Sequence, residues 1–273
     1  MDEREVKEVI VKGRNFMKGM SDDLYPDFES DQQKMLKQPP LVKAPVSDIQ
    51  IDLPTDFENL EISHSFEEII NMRSSHRVFT EENLTLLQLS YLLWATQGIK
   101  SIRGKSYATL RTVPCGGARH QYETYMFIQH VEGLKKGLYH YLPMGHKLEF
   151  LGEENDMEKI SDSVCEQKWA LKASVIFYWS IVSYRVEWRY GVFAHRTALI
   201  DVGHIGQNLY LAATALDLGC CGVASFDHKT CCDMFSLDGD EEFVVYTAPL
   251  GTVSPDNIEK EQDFYSFVKE QGL

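Results

Sequence analysis

Residues 195–218 constrain the fold more than any other stretch of the chain. Leu199, Val202, Ile205, Leu209, Ala212, Ala213 and Leu216 recur at helical spacing with almost no charge between them. A helix that is apolar nearly all round has no face to give to water, so it is expected to be buried on every side and to stop before Gly219. Gly203 and Gly206 would let another backbone approach it closely. Burial at a subunit interface is a natural way for a 273-residue chain to cover such a helix.

The neighbouring elements point to an α+β fold. Residues 173–182 form a continuous run of apolar, β-branched and aromatic side chains, the pattern of a strand buried on both faces. Residues 125–130, 138–141, 147–151 and 243–248 read as further strands. Ser65 with Glu68, and Thr85 with Gln88, are capping boxes. The first opens a short helix through Met72. The second opens a helix that buries Leu89, Leu92, Leu93 and Trp94 and stops at Gly98 as its C′ residue. Strands and helices interleave without strict βαβ alternation.

Residues 1–54 differ from the rest: they are polar, and Pro39, Pro40, Pro45 and Pro54 prevent a long helix. They read as an extended arm, either mobile or laid along the body or a partner through Leu41, Val42, Val46, Ile49 and Ile51. The body occupies 55–255 and a tail 256–273. Hydrophobic residues at 44% and charged residues at 25% are globular proportions. The longest apolar run is too short for a bilayer span, and the N-terminus lacks the apolar core of a secretory signal. A net charge of −14 argues against nucleic acid or anionic membrane as a partner. Six cysteines are too few for a disulfide scaffold, which favours a reducing, cytoplasmic setting.

The charge distribution locates a candidate site. Asp and Glu make up 41 of the residues, so about six are expected in any forty, yet none occurs between Asn83 and Tyr122. That stretch holds Lys100, Arg103, Lys105, Arg111 and Arg119, and Arg73-Ser74-Ser75-His76-Arg77 lies just upstream. A carboxylate beside a bound phosphate would cost several kcal/mol at low effective dielectric (order of magnitude), so the gap reads as an anion site. In an extended segment Arg73, Ser75 and Arg77 point the same way, and two guanidinium forks with a hydroxyl suit a phosphate monoester. Two small-residue loops offer close backbone approach: Pro114-Cys115-Gly116-Gly117-Ala118, and 219–227 with Gly222, Val223 and Ala224. No GxGxxG or Walker A motif occurs. Two other readings compete. Cys115 could be the nucleophile of a hydrolase, and Cys220-Cys221 with Cys231-Cys232 could bind zinc. The latter pairs lack C-x-x-C spacing and read better as core filler, with no metal site.

The segments MRSSHRVF (72–79), LLQLSYLLWATQGI (86–99), LRTVPCGGARHQYETY (110–125), GLYHY (137–141), RYGVFAHRTALIDVGHIGQNLYLAATALDLGCCGVASFD (189–227) and EEFVVYTAPLG (241–251) carry a resemblance. In order and spacing the chain resembles the nitroreductase family of FMN enzymes, and more narrowly its SagB-type branch, which includes azoline dehydrogenases of peptide natural-product maturation. The resemblance implies a nitroreductase-like sandwich, a central mixed or antiparallel sheet flanked by helices, in an intertwined homodimer with flavins between the subunits. It implies that Arg73, Ser74, Ser75 and Arg77 hold the FMN phosphate and ribityl chain. Pro114, Cys115, Gly116, Gly117 and Ala118 would approach from the other subunit, while Gly222, Val223 and Ala224 would line the ring. It further implies NAD(P)H as co-substrate and a small-molecule electron acceptor such as a nitroaromatic or quinone. A flavin-binding protein without catalysis is the remaining alternative. Three departures stand out. Cys115 replaces the family's usual serine, and no Arg or Lys follows the last strand at 251–255. Arg189-Tyr190 stands where azoline dehydrogenases carry Lys-Tyr; arginine is no base at neutral pH, which leaves Tyr190 as the catalytic candidate.

Overall fold

In the computed structural model, residues 2–18, 27–256 and 270–271 are described. The core is an antiparallel sheet built from β1 (Gln50–Asp52), β4 (Tyr122–Ile128), β5 (Gly137–Leu142), β6 (Lys147–Gly152), β7 (Val175–Val182), β8 (Leu218–Cys220) and β9 (Glu242–Thr252). Its order is β1-β6-β5-β4-β7-β9-β8, and every pairing is antiparallel. β2 (Ile99–Arg103) and β3 (Ala108–Arg111) form a separate hairpin. The central strand β7 alternates between two cores. Phe177, Trp179 and Ile181 face the side covered by α3 (Leu86–Gln97) and α6 (Ala194–Ala215). Ile176 and Tyr178 face the side covered by α4 (Met157–Ser163) and α7 (His228–Phe235). This is the expected α+β sandwich, and the continuous apolar run at 175–182 is buried on both faces because it lies in the middle of it.

Both capping boxes form. Ser65 caps α2 (Phe66–Met72), Thr85 caps α3, and each receives the reciprocal bond from Glu68 or Gln88. Helix ends differ from expectation in two places. Gly98 has φ −59°, so it does not close α3 by a left-handed turn; a side chain there would run into Trp94. α6 ends at Ala215, and the left-handed residue is Asp217 at φ +55°, after which Gly219 enters β8. Within one chain α6 is covered on one side only: Val202, Ile205 and Leu209 are buried, while Leu199 and Ile200 remain 53% and 50% exposed.

The arm from 27 to 54 lies along the body, held mainly by polar contacts. Lys43 donates its backbone N–H to Glu123 at 3.1 Å, and Val46 and Ser47 donate theirs to Glu149 at 2.7 and 2.9 Å. Val46 and Ile49, read as apolar contacts, face water. Glu123 and Glu149 are buried on either side of His140, and Arg185 closes the network on Glu123 at 2.6 Å. The arm then supplies β1 to the edge of the sheet, pairing with β6. α1 (Glu3–Met17) precedes it and buries none of its residues. No helix among the described residues is long and apolar enough to cross a membrane.

Candidate functional site

The 73–77 segment leaves the C-terminus of α2 and runs along the sheet edge. Arg73 donates its N–H to Ile69, His76 donates to the Cys220 carbonyl at 3.0 Å, and Thr80 donates to Thr252 at 2.8 Å. This places it beside β8 and against α6. Ser75 Oγ lies 3.0 Å from the hydroxyl of Tyr210, and the same hydroxyl accepts the Gly222 N–H at 2.6 Å. One α6 side chain therefore joins the first and third sequence-predicted segments. The Arg73 guanidinium lies 5.5 Å from the Tyr210 ring centre and has no carboxylate partner among the described residues. Burial pushes the Tyr210 hydroxyl pKa up, so it stays a neutral donor and acceptor.

Arg77 diverges from this arrangement. Its guanidinium lies 5.8 Å from the ring of Trp169, which packs against the opposite core from Tyr210. At the edge of a sheet a chain can reach both faces, and alternation along 73–77 does not bring both arginines to one ring. Ser74 is half-buried between them. In the third segment, Val223 is pinned to β9 by exchanging backbone bonds with Thr247 at 2.8 and 3.1 Å. Gly222 packs so closely on Tyr246 that a Cβ would collide with the phenol. Ala224 emerges from this strap into solvent.

The loop 114–118 is built differently. Asp201, buried on α6, accepts the Gly116 N–H at 3.0 Å and the Gln121 amide at 3.0 Å, and the Cys115 thiol lies 3.3 Å from its carboxylate. The His120 N–H donates to Cys115 Sγ at 3.1 Å. Gly117 has φ +58° and packs against Arg189 and the Tyr190 hydroxyl, a conformation and proximity that glycine alone takes without strain. Ala118 follows at φ +54°, and Pro114 is exposed. Burial, with the nearby Asp201 charge, pushes the Cys115 thiol up to about 12. Burial against the Asp201 carboxylate disfavours the thiolate that a nucleophile needs, which speaks against the hydrolase reading. Cys220, Cys221, Cys231 and Cys232 are buried in the core.

The two halves stand apart along α6. Tyr210 follows Asp201 by nine residues, about 14 Å of helix rise. Tyr190 belongs to the 114–118 half, with the Arg189 guanidinium 5.6 Å from its ring centre. The sequence reading missed Tyr210 and Asp201. For Asp201 a signal was present: a lone carboxylate in the middle of an almost uncharged helix has to meet donors when it is buried. Tyr210 offered none, since a tyrosine at an amphipathic position is ordinary core. Within the acid-free stretch, Arg111 turns inward, donating to the Gln97 side chain at 3.0 Å. It lies within the field of Glu123, so part of the gap is answered by acids just outside it.

Comparison with known proteins agrees with this architecture. The model of the nitroreductase family matches residues 70–252. A nitroreductase homologue of Methanocaldococcus jannaschii is 28% identical over 203 residues, covering 74% of this chain and 96% of the relative. A solved nitroreductase homologue of Ralstonia eutropha superposes with a TM-score of 0.63 at 21% identity, over 80% of this chain and 96% of that one. A chain of the E. coli microcin synthetase McbBCD complex, solved with truncated pro-MccB17 bound, superposes with a TM-score of 0.59 at 19% identity, over 93% of this chain and 95% of that one. The chain belongs to the nitroreductase family, a family of oxidoreductases, and shares its fold.

Proposed function

We propose that the protein binds FMN and passes a hydride from NADH or NADPH to a flat electrophilic acceptor such as a nitroaromatic or a quinone. The observation that carries this reading is the junction at Tyr210, where Arg73, Ser75 and Gly222 meet without a carboxylate. A half-buried guanidinium lacking a counter-ion among the described residues, next to a hydroxyl, fits the FMN phosphate. Bound FMN would supply the two-electron chemistry. Arg73 and Ser75 would hold its phosphate end with Ser74 beside them, while Arg77 stands turned toward Trp169. Tyr210 keeps Ser75 and the Gly222 strap in register. Gly222 and Val223 have both N–H groups engaged within the chain, which leaves the backbone at Ala224 to face the ring.

The loop of Pro114, Cys115, Gly116, Gly117 and Ala118 would serve the site of a second copy in a homodimer. Its separation along α6 from the Tyr210 junction and the exposed Leu199 and Ile200 support that assembly. Asp201 would hold the loop rigid by accepting its donors.

Azoline dehydrogenation is a second reading, favoured by the likeness to the McbBCD chain, which reaches into the arm by covering 93% of this chain. Arg189 speaks against it, because a guanidinium donating to Gln32 and Tyr107 cannot take up a proton. The test is the visible spectrum of the purified protein under anaerobic NADH and NADPH. Bleaching of a yellow chromophore that heat releases as FMN supports the reading. A flavin that never bleaches with either donor favours a carrier or another donor, and a colourless protein that takes up no FMN contradicts the reading.

A further inference from the structure

The FMN reading leaves part of the acid-free stretch unused. Arg103 and Arg119 converge on Tyr107, which immediately precedes β3. Their guanidinium carbons lie 5.5 and 4.8 Å from its ring centre. Arg189, from the end of α5 (Ser183–Tyr190), donates to the Tyr107 hydroxyl at 2.9 Å, and Gln32 donates to it at 2.9 Å. Arg119 is buried and donates to the carbonyls of Gly117 and Tyr107 at 3.0 and 3.1 Å, so it forms the floor. Arg103 is exposed, and Tyr107 and Arg189 are half-buried, so the group opens to solvent.

Three guanidinium groups thus share one phenol, and none forms an ion pair with a carboxylate among the described residues. This is unusual in a chain with 41 acidic and 27 basic residues. Arg119 feels the charge of Arg189, while the burial of Arg189 is outweighed by bonds to Tyr190 and Tyr107 that hold its pKa up. Burial lowers the Arg119 pKa and the neighbouring Arg189 lowers it further, although Tyr107 works the other way. Burial raises the Tyr107 pKa, but the Gln32 bond and the charges of Arg119 and Arg189 outweigh it, so the phenol ionises more readily than usual. Like charges gathered without a counter-ion cost free energy, and an incoming anion removes that cost.

We propose that Arg103, Arg119 and Arg189 around Tyr107 form an oxyanion site for a phosphate or carboxylate carried by the electron donor or the acceptor. It adjoins the 114–118 loop and Tyr190, through the contacts of Arg119 and Arg189 with Gly117. It is separate from the Arg73–Tyr210 junction. The identity of the carrier rests on the oxidoreductase reading; the anion site itself does not.

Calorimetric titration with inorganic pyrophosphate tests the site directly. Binding should weaken about tenfold, the scale of one charge-assisted hydrogen bond, in R103A and in R189Q, and persist in R73A. The Arg103 side chain makes no hydrogen bond among the described residues, so R103A also guards against misfolding as the cause. Binding that disappears only in R73A, or is equal in all four proteins, overturns the proposal. Kinetics of the flavin-loaded protein separate the sources. If the donor carries the anion, R103A raises KM for NADH and NADPH with a neutral quinone. If the acceptor does, R103A raises KM for nitrobenzoate but not for nitrobenzene. A variant that leaves all these constants unchanged refutes the assignment to donor or acceptor. A protein that binds pyrophosphate at Arg103 but takes up no FMN refutes the flavin reading alone.

Discussion

The two ends of α6 solve the same problem in different ways. At Asp201 a buried carboxylate gathers donors of the 114–118 loop and of Gln121 just beyond it: the Gly116 N–H, the Gln121 amide and the Cys115 thiol all point at it. At Tyr210 the linker is a neutral hydroxyl that joins Ser75 to Gly222, and the charged group beside it, Arg73, has no carboxylate partner among the described residues. A carboxylate at position 210 would pair with Arg73 and occupy the place of the proposed phosphate. One end commits its charge to the fold, and the other leaves a guanidinium open, as the proposed phosphate site requires.

The largest effect should come from breaking the rigid end. Asp201→Ala leaves several buried donors without an acceptor and should cost on the order of 4 kcal/mol in chemical denaturation. A loss under about 1 kcal/mol would show that water or the loop itself satisfies those donors. The pH response of the same region comes next. Burial, reinforced by Arg111, holds His120 down to about 3, so the folded chain keeps it neutral where the unfolded chain protonates it. Stability attributable to His120 is full above the ordinary histidine value near 6.5 and falls as pH drops toward 3, by about 2.5 kcal/mol between roughly pH 6.5 and 4.5. His140 does not mask this. Burial pulls its pKa down, but hydrogen bonds to Glu123 and Glu149 raise it overall, so it changes stability only on the alkaline side. Denaturation curves of wild type and His120→Gln across that range should differ in slope; equal slopes would exclude His120.

At the other end, Tyr210→Phe removes one hydroxyl and should cost about 1 kcal/mol. Amide exchange at Gly222 should quicken, and unchanged protection there would show that the strap does not depend on Tyr210. The smallest effect concerns reactivity. With its thiol pushed up to about 12, Cys115 should resist iodoacetamide at pH 8, while exposed Cys165 reacts. Mass mapping that finds Cys115 labelled as fast as Cys165 would contradict the buried contact with Asp201.

Much of the fold was legible because local rules and tertiary demand agree. Ser65–Glu68 and Thr85–Gln88 cap helices in any context, and 175–182 is apolar enough to be only a central strand. β2 and β3 were missed because they make a short hairpin apart from the main sheet: β2 is largely exposed, and of the buried β3 residues Ala108, Thr109 and Arg111 only one is apolar. The polar anchoring of the arm was also hidden, since Glu123 and Glu149 lie far from Lys43 and Val46 in sequence. Ser75 was named from alternation and Gly222 from a run of small residues, both in line with the family resemblance, but their junction through Tyr210 is a long-range contact that no spacing encodes. Alternation predicted one shared direction for Arg73, Ser75 and Arg77, but position at a sheet edge let Arg77 turn to Trp169 instead.

The account turns on Arg73 as the group that receives a phosphate. Comparing FMN with riboflavin, which lacks the phosphate, isolates that contact in both wild type and Arg73→Ala. Wild type should prefer FMN by about tenfold or more, and the variant should bind the two flavins nearly alike while unfolding at the same denaturant concentration. A variant that keeps the full preference for FMN would place the phosphate elsewhere and contradict the account.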